Sequence, residues 1–262
     1  MPIPPAPLTA TAILLAAAAA AAQPPPRDPH AVQPERPTVA THAYTVAAGW
    51  AELEAGVELD RYPDGSRGMA APVVLKIGLA SRLQLDLDGA VLNPPQGRTT
   101  GIGDLAVGLK WRVLDGTPLL GDVSVIPSLK LPTAPAASGL GTGTTDVGLL
   151  LISSRQVGPV SMDLNIGYTR RSGAGTRAPR SASLWTASFG GPVLAGLGWT
   201  AEVYGLPGTS GPAGTAPIVA LLCGPTLLAR TWLAFDAGLI VPLAGPQPRA
   251  LYAGGVWNVG RL

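Results

Sequence analysis

Glu52, Glu54 and Glu58 recur along AELEAGVELD (51–60) at every second or fourth position. Closely spaced carboxylates are raw material for acid–base chemistry. Asp86, Asp88 and Asp104 have the oxygen chemistry of a calcium site. A nucleophilic hydrolase needs a base beside its Ser or Cys. The only histidines, His30 and His42, precede the first candidate strand, which argues against a Ser–His enzyme. Cys223 is the single cysteine, so neither an intrachain disulfide nor a cysteine-based metal site can form. GLGTGTTDVG (139–148) contains Gly-x-Gly-x-Gly. A dinucleotide fold needs a strand before such a run and a helix after it. Here a strand pattern follows, so the run is read as a loop. The expectation is a protein that is not an enzyme, with no catalytic residues, no cofactor and no metal site.

The acids instead belong to a pattern. Between them lie Leu53, Ala55, Val57 and Leu59, so one face is charged and the other apolar. The alternation recurs: Val73, Leu75 and Ile77 oppose Lys76; Leu83, Leu85 and Leu87 oppose Asp86 and Asp88; Leu105 to Val113 oppose Asp104, Lys110 and Arg112. It continues with Lys130 opposite Leu129 and Leu131, Asp146 opposite Val147, Asp163 opposite Leu164, Glu202 opposite Val203 and Asp236 opposite Phe235. A period of two means strands. About 12 segments of roughly 9 to 11 residues emerge, the length of a tilted membrane-spanning strand. No Asp, Glu, Lys or Arg falls on their apolar faces. Ile218 to Thr226 is weaker, nearly apolar on both faces.

Short connections (80–82, 153–159, 229–231) alternate with mostly longer ones (93–100, 132–144, 170–181, 206–215). The charged fraction is 13%, about half the usual quarter for a soluble chain. Gly 34 and Pro 28 favour turns over long helices, and a net charge of +2 gives no reason to expect nucleic acid. The predicted fold is therefore all-β: an up-and-down antiparallel transmembrane β-barrel of about 12 strands over 48–262. The start reads as a signal peptide (1–22), and 23–47 as a Pro-rich periplasmic tail, with an inward-folding plug as the alternative.

The predicted lumen lining is Glu52, Glu54, Glu58, Lys76, Asp86, Asp88, Asp104, Lys110, Arg112, Lys130, Asp146, Asp163, Glu202 and Asp236. Such acids either favour cations in an open pore or pair with the bases and block a narrow one. The long loops hold Arg170, Arg171, Arg177 and Arg180, residues that could grip lipopolysaccharide phosphates. The expected partners are membrane lipid, lipopolysaccharide and an unspecified small molecule. The expected location is the bacterial outer membrane.

QPERP (33–37), LEAGVELDR (53–61), GIGDLAVGLKWRVL (101–114), LKLPTAPAASGLGTGTTDVGLLL (129–151) and FDAGL (235–239) add a resemblance. They resemble outer-membrane proteins assigned to the MetA pathway of phenol degradation and often called transporters. That resemblance implies a barrel of about 12 strands that passively admits small hydrophobic or aromatic compounds. The alternative is a non-transporting structural or adhesion barrel whose external loops carry the function.

Overall fold

The computed structural model describes residues 28–95, 99–172, 180–207 and 217–262. The strands are β1 (Trp50–Arg61), β2 (Arg67–Ala80), β3 (Leu83–Asn93), β4 (Gly101–Ile102), β5 (Leu105–Thr117), β6 (Gly121–Leu131) and β7 (Asp146–Val157). They continue with β8 (Val160–Arg171), β9 (Ser181–Leu194), β10 (Leu197–Leu206), β11 (Ile218–Arg230), β12 (Leu233–Ala244) and β13 (Arg249–Arg261). Each pairs antiparallel with its neighbours, and β1 joins both β2 and β13. The sheet thus closes into the expected 12-strand barrel, with the two-residue β4 paired only to β3. Closure leaves none of the 12 barrel strands at a free sheet edge.

The strands run further than the apolar alternation alone indicates. β1 extends to Arg61 and β2 starts at Arg67, which leaves only residues 62–66 between them. Backbone pairing continues past the apolar band because ladder hydrogen bonds do not depend on side-chain polarity. The tight turns use glycines in the left-handed region, including Gly158 (φ 58) and Gly196 (φ 76). These positions have a Cβ penalty that only glycine escapes.

The wall is inside-out relative to a soluble protein. Lys76 and Lys110 are among its largest fully buried side chains, while Ile166 is 67% and Leu251 64% exposed. Soluble proteins almost never fully bury lysine unless it is paired. Trp111, Trp199 and Trp257 lie outward near the short-turn end, and Trp185 lies outward toward the long loops. Such belts suit rings with an apolar body and a polar handle. The Trp185 indole lies over Gly205 of β10, where a Cβ would come within 2.4 Å of it. The ring covers backbone that a glycine leaves bare.

Candidate functional site

The inner face of the wall does not enclose an open bore. Residues 31–47 enter at the short-turn end, cross the lumen and return to the same end, where β1 begins. Val32 donates its N–H to the Thr231 carbonyl in one short turn, and Gly49 donates to Gly78 at the end of β2. Between these anchors Ala40, Ala43 and Val46 are almost completely buried. Residues 31–47 thus lie inside the barrel.

The wall holds this plug mainly by its main chain. Gln33 N–H donates to Glu52 Oε2 at 2.7 Å, and Glu35 and Arg36 N–H donate to the two Glu54 oxygens at 2.8 and 3.1 Å. Val39 and Ala40 N–H each donate to one Glu202 oxygen at 2.7 Å. Asn165 accepts from Thr41 N–H at 2.7 Å and donates to the Thr41 carbonyl at 2.9 Å, as a neighbouring strand would. Ser154 accepts from Ala43 N–H, Ser124 donates to the Ala43 carbonyl, and Gln84 accepts from Val46 N–H. Pro34 and Pro37, which have no N–H, fall between these contacts.

Charge pairing completes the seat. Lys76 Nζ lies 2.5 Å from both Glu52 Oε1 and Glu54 Oε1 and donates to the Gln33 carbonyl. Lys110 pairs with Glu35 of the plug and donates to Thr41 Oγ1. Arg36 pairs with Asp236 at 3.3 Å. Its guanidinium fills a notch left by two directly opposed glycines, Gly56 and Gly254, where any Cβ would meet it within 2.5 Å. Near the long loops, Lys130 bridges Asp104 and Asp146, at 2.7 and 3.4 Å. Burial raises the Asp104 pKa, but hydrogen bonds from Lys130, Thr142 N–H and Ala134 N–H outweigh it and hold the carboxyl below its usual range.

The remaining predicted lining residues are distributed as follows. Asp86 accepts from Gln84, and Asp163 accepts from Ser154. Glu58 and Asp88 lie half-buried on the inward register of β1 and β3. Arg112 sits at the short-turn end and pairs with Asp115 at 3.1 Å. Asp86, Asp88 and Asp104 do not converge: among the described residues, no group of three His, Cys, Asp or Glu could hold a metal ion.

The four rim arginines are not equivalent. Arg170 is exposed and donates to Ser181. Arg171 lies on the opposite face of β8, its Nε 3.4 Å from Asp146, so it joins the inner network rather than a lipid-facing rim. Arg180 is exposed, and Arg177 lies outside the described residues.

Two features went unseen in the sequence. The inner face of β10–β13 is apolar near the long loops, where Tyr204, Ala220, Leu222, Ile240, Ala250 and Tyr252 form one buried cluster. This is why Ile218 to Thr226 shows weak alternation. The second is a cavity of about 480 Å³ between the plug and β8–β12, bordered by Pro37, His42, Asp163, Ser188, Thr200 and Thr226.

No protein-family profile matches the chain, and no curated protein matches it. Solved structures do. An outer membrane channel from Pseudomonas putida F1 superposes with a TM-score of 0.60 at 14% identity, covering 82% of this chain and 97% of that one. The KdgM porin in complex with disordered oligogalacturonate superposes at 0.53 with 8% identity, covering 79% of this chain and 98% of that one. At these identities the likeness is one of fold: this chain is similar to outer-membrane β-barrels in architecture.

Proposed function

We propose that the chain is a bacterial outer-membrane channel for passive passage of small molecules, held closed on its short-turn side by residues 31–47. The observation that carries this reading is the pairing of an exposed apolar exterior with a polar interior whose occupant is a segment of the chain itself. The occupant is held by hydrogen bonds and ion pairs that water can replace, and both its ends leave at one rim. The similarity to a channel and a porin supports the same reading. The sequence resemblance to the MetA-pathway proteins adds the substrate class, small hydrophobic or aromatic compounds. The Tyr204–Tyr252 cluster offers such compounds an apolar inner surface. Lipopolysaccharide and membrane lipid are the surrounding partners in this reading.

The filled lumen also favours a second reading, a non-conducting barrel with a structural or adhesive role. Planar-bilayer recording separates the two. Glu202→Ala with Asn165→Ala removes the partners of three successive plug N–H groups, Val39 to Thr41. The full-length double variant is expected to show openings severalfold larger or more frequent than the parent's. If parent and variant are both silent while correctly assembled, the channel reading fails and the structural barrel stands.

A further inference from the structure

Arg61, the last residue of β1, lies directly opposite Arg249 of β13 on one side and Arg67 of β2 on the other. Residues directly opposite in antiparallel strands present their side chains on the same face, with Cβ atoms about 5 Å apart. All three arginines are exposed. Their face is the outer one, because Leu59 and Leu251, two residues down the same strands, are 51% and 64% exposed. Among the described residues none of the three forms an ion pair, while Asp60 between them and the apolar row points to the inner face. Asp64, in the adjoining connection, accepts from Ser66 instead.

Like charges directly opposite one another destabilise a sheet. Three in one cross-strand row need a counter-ion. Arginine suits a phosphate, which it meets with two parallel hydrogen bonds. The neighbouring row indicates which phosphate. Met69, Leu59 and Leu251 occupy the same outward face of the same three strands, two residues nearer the middle of the barrel. Two residues along a strand is about 7 Å. An apolar row and a cationic row at that spacing match the step from acyl chain to phosphorylated headgroup.

We propose that Arg61, Arg67 and Arg249 form a phosphate-binding site for a membrane lipid at the long-loop rim, with its acyl chains on Met69, Leu59 and Leu251. This rests on the outer-membrane reading above, in which the lipid is lipopolysaccharide. It also moves the main lipid contact from the β8–β9 side of the rim, where Arg171 turns inward, to the β13–β1–β2 side.

The test uses the full chain, folded in detergent free of lipopolysaccharide. Unfolding temperature is followed with added lipopolysaccharide, with its dephosphorylated form, and with inorganic phosphate at equal phosphate concentration. Lipopolysaccharide is expected to raise the unfolding temperature of the parent, and the other two to do little. R61Q/R67Q/R249Q should lose that rise, and R61K/R67K/R249K should keep only part of it because lysine lacks the two-pronged geometry. R170Q/R180Q should respond like the parent. If the triple Gln variant responds as the parent does, the site is wrong. If inorganic phosphate alone gives the whole rise, the site takes a free anion and the lipid assignment falls. Should the triple variant fail to fold, R61Q alone, which removes the central charge, carries the same comparison. Membrane fractionation keeps the two readings apart. A parent absent from the outer membrane overturns the localisation, whereas a parent present there with an unresponsive arginine row overturns only the site.

Discussion

Lys76→Met should unseat the plug and lower the stability of the barrel by roughly 3 to 5 kcal/mol, the usual cost of leaving a buried charge without its partner. Lys76 is fully buried, with both Glu52 and Glu54 at 2.5 Å. Those carboxylates in turn hold the N–H groups of Gln33, Glu35 and Arg36. Without the ammonium, two carboxylates face each other on one strand with no cation between them, and the easiest relief is to admit water and release the plug. Denaturant unfolding in detergent, together with proteinase K cleavage of residues 28–49, reads both effects. Combining Lys76→Met with Glu52→Gln and Glu54→Gln should recover part of the loss, because no unpaired charge remains and each amide oxygen can still accept from one plug N–H, although the second N–H that Glu54 holds loses its acceptor. Unfolding of Lys76→Met at the parental denaturant concentration with a protected tail would sink the idea.

Leu87→Arg should block assembly, while its neighbour Asp88→Asn should assemble normally. Leu87 is in the middle of β3, 40% exposed, flanked by Leu75 and Val107 on the outer face. An arginine on the lipid face near the midplane costs roughly 2 to 4 kcal/mol. Asp88 lies half-buried on the inner register, where an amide is as acceptable as an acid. Heat-modifiable gel mobility distinguishes folded from unfolded barrel for each variant. Equal assembly of the two would mean that the outer face is not in lipid.

The wall was legible in the sequence because side-chain parity is a property each strand carries by itself. Leu53 against Glu54, or Leu87 against Asp88, needs no knowledge of the neighbouring strand. The plug was legible only as one of two alternatives, and the reason is chemical. Its seat is made largely through backbone N–H and carbonyl groups, which every residue type supplies, so Val39, Ala40 and Ala43 leave no trace in the pattern. The wall side of the seat is equally quiet: Gln84, Asn165 and Ser154 read as ordinary polar positions on a strand. A usable signal existed in Gly56 and Gly254, inward positions without a side chain, but it becomes visible only once β1 is known to pair with β13. The arginine row has the same character. Arg61 and Arg67 flank one short connection, but Arg249 lies far along the chain, and only the pairing of β1 with β13 brings it beside them.

The plug is a bight rather than a thread: both its ends stay at the rim where β1 begins. No chain terminus has to pass through the wall, so the barrel can close first and receive the segment afterwards. Once displaced, the segment remains tied to Gly49. Its return is an intramolecular event, with an effective concentration on the order of millimolar for a short flexible tether. A solute competing for the same interior must therefore match that local excess as well as the contacts themselves. Recapture is set by the tether and is independent of how many barrels the membrane holds, so occupancy becomes a property of each molecule alone.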